Sequence, residues 1–156
     1  MPEIIKGNLK SQKPWRVGVV TALFNSELTL ELERGALSTL EKNGSRVIAR
    51  VQVPGAVEVP LAAKALLAKG DCDAVVALGL VIRGETAHFD YVCNAVERGC
   101  SQLQLEFNKP VAFGVLTTEN REQAQARCGG RKGNKGAEAA EVALEMLDVL
   151  DQITNG

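Results

Sequence analysis

Aromatic side chains are scarce in this chain of 156 residues: one Trp, one Tyr and four Phe, 4% in all. That excludes an aromatic stacking platform for single-stranded nucleic acid. Excess charge is missing as well, with 18 Lys+Arg against 19 Asp+Glu and a net charge of -1. Such a balance argues against binding nucleic acid by phosphate neutralisation, although a small anionic ligand needs only one or two local charges. No apolar run reaches the roughly 18 residues that a membrane span requires. The stretch from Met1 to Trp15 has scattered lysines and no apolar segment, so it does not read as a secretory signal. Histidine is reduced to His88, and the four cysteines, Cys72, Cys93, Cys100 and Cys128, show no C-x-x-C spacing. No metal-ligand pattern is therefore expected. Cys93 and Cys100 stand seven apart on a predicted helix, which at about 1.5 Å rise per residue is too far for a bridge. The thiols read as buried groups in a reducing cytoplasm.

What the chain does have is 46% apolar residues, rich in Ala, Val, Leu and Gly, which is enough for one core. A single domain over residues 1–156 is expected. Short β-branched or continuous apolar runs predict strands over 16–21, 46–53, 74–79 and 110–115. Helices are predicted from Ser26 to about Asn43, from Pro60 to Gly70, from near Thr86 through Leu103, over 119–128, and finally on the stripe Ala139, Val142, Ala143, Met146, Val149 and Ile153. Residues 129–133 read as a loop. The alternation implies an α/β fold with a parallel sheet covered by helices on both faces. The first dozen residues have no core partner in this plan; they either fray or dock on a neighbouring subunit.

Ligands of open α/β sheets bind beyond the carboxyl ends of the strands, here 22–25, 54–58, 80–88 and 116–119. Gly79-Leu-Val-Ile-Arg-Gly84-Glu85-Thr86-Ala87-His88 mimics a phosphate loop, but Glu85 stands where that loop needs Lys, which defeats triphosphate binding. Thr86 at a helix start is a structural cap or part of a phosphate cradle. His88 is a surface histidine or a group that takes a proton and returns it. Arg127 pairs with a helix end or clamps a phosphate, and Lys135 follows in a Gly-rich stretch. Glu58 ends a rigid turn where it can accept hydrogen bonds from hydroxyls or serve as a helix-start acid. Phe24 can stack on a flat heterocycle or simply pack, and Phe113, inside a strand, reads by default as core.

Taken together, Val53-Pro-Gly-Ala-Val-Glu58, Gly79 to Phe89, Val111-Ala-Phe-Gly-Val-Leu-Thr-Thr118 and Gly133-Asn-Lys-Gly136 resemble the lumazine synthase family of riboflavin biosynthesis. The resemblance runs from about Arg16 to Leu150. It implies a flavodoxin-like three-layer sandwich with a four-stranded parallel sheet, and no metal or organic cofactor. It implies condensation of 5-amino-6-(D-ribitylamino)uracil with 3,4-dihydroxy-2-butanone 4-phosphate to 6,7-dimethyl-8-ribityllumazine. By resemblance His88 is the proton-transfer residue, and Glu85, Thr86 and Arg127 hold the butanone phosphate. Phe24 stacks on the pyrimidine, Ala56, Val57 and Glu58 meet the ribityl chain, and Leu80, Val81 and Ile82 form a loop lining the ring. By the same resemblance Phe113 neighbours the ring from an adjacent subunit, and Lys135 is a nearby basic contact. Val57 stands where the family usually has an aromatic, and Ala22-Leu23 where many members carry a polar or basic residue.

The resemblance further implies a homo-oligomer, a pentamer, with the short 129–135 connection favouring a closed shell of 60 subunits. Residues 1–14 would then be an arm docked on a neighbour, and riboflavin synthase is a candidate enclosed partner. The alternative is a non-catalytic shell protein that holds flavin or lumazine, which has no need of Thr86 or Arg127. A flavodoxin-type electron carrier fits less well, because Ala22-Leu-Phe-Asn25 follows the first strand in place of a Ser/Thr-rich phosphate loop.

Overall fold

A computed structural model describes residues 1–10 and 13–156. In chain order the elements are β1 (Arg16–Ala22), α1 (Ser26–Lys42), β2 (Arg46–Val53), a 3₁₀ turn (Ala56–Glu58), α2 (Val59–Lys69), β3 (Ala74–Ile82), α3 (His88–Phe107), β4 (Val111–Thr118), α4 (Arg121–Arg127), a short hairpin β5 (Cys128–Gly130) and β6 (Gly133–Asn134), and α5 (Lys135–Asn155). The four long strands form one parallel sheet in the order β2-β1-β3-β4. Helices cover both faces, as the alternation requires.

Strand periodicity explains the two layers. Val17, Val19, Val76, Leu78, Leu80 and Leu116 point to one face and meet Leu32, Ala36 and Leu40 of α1, Ala124 of α4, and Ala140, Ala143 and Leu144 of α5. Val20, Ala22, Val75, Ala77, Val111 and Val115 point to the other and meet Val59, Ala63 and Leu67 of α2 and Val96, Cys100 and Leu103 of α3. Central β3 is buried on both faces through Leu80, which is why it carries no polar alternation. α5 sits so close to α1 that a Cβ on Gly136 would collide with the Leu32 backbone, so only glycine fits there.

Three sequence expectations are revised. β3 and β4 run three residues beyond the predicted ends, to Ile82 and Thr118, because the ladder continues through Leu80–Leu116, Val81–Thr117 and Ile82–Thr118. Leu80, Val81 and Ile82 are therefore strand residues and not a loop. Residues 129–133 are the turn and flanks of an antiparallel hairpin, with Gly129 and Gly133 at φ 95° and 82°. Cys93 is half-buried, whereas Cys72, Cys100 and Cys128 are buried, and all four are free thiols.

Lys6, Asn8 and Lys13 lie beside α5 of the same chain. Gln152 donates to the Lys6 carbonyl at 2.6 Å, the Asn8 amide donates to Asp148 at 2.8 Å, and Lys13 pairs with Asp151 at 2.6 Å. That ammonium, together with Asn155, holds the Asp151 carboxyl below its ordinary range. Met1, Ile4 and Ile5 stay exposed, so the arm buries little apolar surface in its own chain. Within the arm, Ser11 and Gln12 lie outside the described residues.

Candidate active site

The strand order reverses between β1 and β3, and ligands of such sheets bind at that switch point. A cavity of about 450 Å³ opens there, lined by Phe24, Asn25, Gly55, Ala56, Val57, Glu58, Leu80, Val81, Ile82, Gly84, Thr86, His88, Phe89 and Val92. Its size suits a small organic ligand. The backbone assembles it in a few steps. The Leu23 amide donates to the Val53 carbonyl at 2.8 Å and the Phe24 amide to the Pro54 carbonyl at 3.0 Å, which fastens the loop after β1 to the turn after β2. Asn25 then caps α1 in the left-handed region, φ 66°, without a side-chain capping bond. Phe24 is left 72% exposed at the cavity and is not packed in the core. The 3₁₀ turn puts buried Ala56 against the sheet and exposed Val57 and Glu58 on the opposite wall, with the Glu58 carboxylate folded back towards Gly55.

The far wall is the end of β3 and the start of α3. His88 is the first residue of α3 and is exposed. Thr86 does not cap the helix as expected: the cap is Ala87, and the Thr86 hydroxyl accepts from the His88 amide at 3.3 Å. The cap of α3 therefore lies one residue later than the Thr86 start the sequence suggests. Glu85 is exposed and its side chain lines no cavity described here.

Arg127, Phe113 and Lys135 are elsewhere. They line a second cavity of about 570 Å³, beside the edge strand β4, together with Val115, Leu116, Thr117, Thr118, Gln123, Lys132 and Glu138. Phe113 is half-buried: it packs against the core layer under α2 and α3, in keeping with its reading as core, and also lines this cavity. α4 is capped by Asn120, whose side chain accepts from the Gln123 amide at 2.8 Å, and ends on Arg127. The Arg127 guanidinium donates to the Gln123 carbonyl at 2.9 Å, satisfying a helix-end acceptor while leaving further donors for a ligand. Lys135 opens α5, which is held by the Asn134 side chain.

The two cavities are chemically complementary. Among the described residues lining the first, none is Lys or Arg, and the ionisable groups are Glu58 and His88. The second holds three cations, Arg127, Lys132 and Lys135, with one carboxylate, Glu138. Sequence reasoning assigned no role to Asn25, Gly55, Gly84, Phe89 and Val92 in the first, and noted Lys132 of the second only as one of the basic residues that follow Arg127. Phe89 and Val92 belong to a regular apolar stripe and looked like core. Side chains in the first turn of a helix lean back towards its N-terminus, which is the signal that places Phe89 at the cavity.

All four thiols are pushed up, chiefly by burial, Cys100 and Cys128 to about 11. None is activated as a nucleophile. Among the described residues, no helix is long and apolar enough to cross a membrane.

A family model described as 6,7-dimethyl-8-ribityllumazine synthase matches residues 14–151. A protein of Bdellovibrio bacteriovorus named 6,7-dimethyl-8-ribityllumazine synthase is 59% identical over 119 residues, 76% of this chain and 66% of that protein. One of Cytophaga hutchinsonii with the same name is 53% identical over 119 residues, 75% of each chain.

Proposed function

The chain belongs to the 6,7-dimethyl-8-ribityllumazine synthase family, and from that premise we propose that it condenses 5-amino-6-(D-ribitylamino)uracil with 3,4-dihydroxy-2-butanone 4-phosphate, releasing phosphate and water, at a site shared between two protomers. The observation that carries the shared site is the division of groups between the cavities. A phosphorylated ketone brings about two negative charges, and the first cavity offers it amides, a hydroxyl and an imidazole but no fixed cation. The second cavity offers three cations and no histidine. Bringing the second cavity of one subunit to the first of the next completes both. In a ring, every interface repeats this arrangement.

In this reading the flat pyrimidine lies on Phe24, between it and the apolar wall of Leu80, Val81 and Ile82. Glu58 accepts from the ribityl hydroxyls, alongside Ala56 and Val57. The loop at Glu85 and Thr86 holds the phosphate through backbone N–H groups, the Glu85 carboxylate turned outward to avoid repulsion. Arg127 of the neighbour clamps the same phosphate from the other side, with Lys135 close by and Phe113 against the ring. An amine attacks the ketone and water leaves as the imine forms. Loss of a proton and phosphate then leaves an enol that tautomerises to a ketone, and the second amine attacks that ketone and expels a second water as the ring closes. Each of these bond changes needs a proton moved on or off the reacting nitrogen, carbon or oxygen, a transfer that His88 mediates while the two cavities hold the reactants. We propose a pentamer, with closure of twelve pentamers into a shell, and an arm, residues 1–14, whose exposed Met1, Ile4 and Ile5 are covered by a neighbour. Riboflavin synthase is the proposed enclosed partner, and the cytoplasm the proposed compartment.

Mixing the two substrates with the protein should yield a fluorescent lumazine and free phosphate in equal amounts. His88→Ala alone should slow turnover only moderately, since placement supplies most of the rate. Full turnover by the His88→Ala, Arg127→Ala double variant would remove the mechanism.

A further inference from the structure

We propose that Arg83 is a positioning residue that sets the geometry of the His88 loop, an inference that rests on the shared-site reading above. Arg83 follows Ile82, the last residue of β3, and its amide donates to the Thr118 carbonyl at 2.8 Å, extending the β3–β4 ladder by one rung. Its side chain then reaches three groups at once. Nε meets Glu119 at 2.7 Å, Nη2 meets Asp90 at 3.5 Å, and the guanidinium lies 4.5 Å from the centre of the Phe89 ring. Glu119 is the residue after β4, next to Thr118 in the second cavity. Phe89 and Asp90 belong to the first turn of α3, and Phe89 lines the first cavity beside His88. One planar fork thus spans the loop 84–87, joining the strand end it leaves, the helix start it enters, and the tip of the neighbouring strand.

The segment between needs such a strap. A Cβ on Gly84 would meet open space, and residues 83–88 are all exposed, so packing does not fix them. Arg83 also has its charge opposed by two carboxylates, which makes it a poor phosphate ligand and a good tie. Within one protomer these pairs are solvent-exposed, so they contribute little to its folding stability. A shift of about 1 Å in placed groups, in contrast, is enough to cost up to about a hundredfold in rate. Removal of Arg83 should therefore show at the loop and in catalysis far more than in unfolding.

The test uses the intact oligomer carrying Arg83→Ala, Arg83→Lys, Glu119→Ala and the Arg83→Ala, Glu119→Ala pair. Without any substrate, amide hydrogen exchange over residues 84–90 should quicken in Arg83→Ala and return part-way in Arg83→Lys, with the unfolding midpoint unchanged. In the condensation, KM for the phosphorylated ketone should rise by about tenfold, with KM for the diamine changed much less. The double variant should be no worse than Arg83→Ala alone, because both break one tie. Unchanged exchange over 84–90, or loss of exchange protection throughout the chain together with a lowered midpoint, would overturn the positioning role. If the unaltered protein fails to condense the substrates, the functional reading falls, while the exchange measurement still decides the role of Arg83.

Discussion

Asn134 joins the second cavity to the rest of the fold, and its replacement by Ala gives a sharply worked expectation. Its Oδ1 accepts from the Ala137 amide at 3.0 Å, capping α5, and its Nδ2 donates to the Glu31 carbonyl of α1 at 2.9 Å. The amide lies against Gly35, where a Cβ would come within 2.5 Å of it. Loss of the cap costs about 1 kcal/mol. Loss of the half-buried bond to α1 costs about another 1 kcal/mol. Asn134→Ala should therefore be about 2 kcal/mol less stable, which for a chain of this size lowers the melting midpoint by about 4–8 °C. Asn134→Ser keeps an acceptor for Ala137 but cannot reach Glu31, so it should lose about half as much. Urea unfolding followed by circular dichroism, at one fixed protein concentration, measures both. An Asn134→Ala protein within about 0.5 kcal/mol of the original, or a Ser variant as damaged as Ala, would refute the two-bond reading.

Arg127→Ala should raise KM for the phosphorylated ketone by about tenfold or more, with little change in KM for the diamine, since a charge-assisted phosphate contact contributes about 1.5–3 kcal/mol; equal rises in both constants would place Arg127 outside the phosphate site. The buried thiols give a pH dependence. Cys100 and Cys128 rise from 9.0 to about 11 in the fold, so above pH 9 the unfolded chain releases protons that the folded chain keeps. Stability is complete below about pH 9 and should fall progressively towards pH 11. Replacing both cysteines by Ala should flatten that fall, and an unchanged slope would assign it to other groups.

Much of the fold was legible because its signals are local. Val and Ala runs buried on both faces mark β1 and β3, the four-residue repeat of Leu28, Leu32, Ala36 and Leu40 marks α1, and Gly70 closes α2 in the left-handed region, φ 88°. The strand ends were not legible, because Ile82 and Thr118 owe their pairing to each other and not to their own neighbours in sequence. The hairpin at 128–134 was hidden in the same way: a Gly-rich stretch reads as a loop until a register pairs it. At the site, the first cavity follows from the strand order, which motif spacing cannot supply. That Arg127 and Phe113 belong to a separate cavity is a matter of which edge β4 occupies, and no pattern of residue types encodes that.

The most direct measurement of a site shared between protomers is subunit mixing. Phe24→Asp spoils the first cavity and leaves the second intact, while Arg127→Glu does the reverse. Each homo-oligomer should be inactive. Co-assembled in equal amounts, a ring with one site per interface should regain about a quarter of full turnover, since about one interface in four pairs two intact cavities. Mixed oligomers, verified by mass, that stay as inactive as their parents would contradict a site built from two subunits.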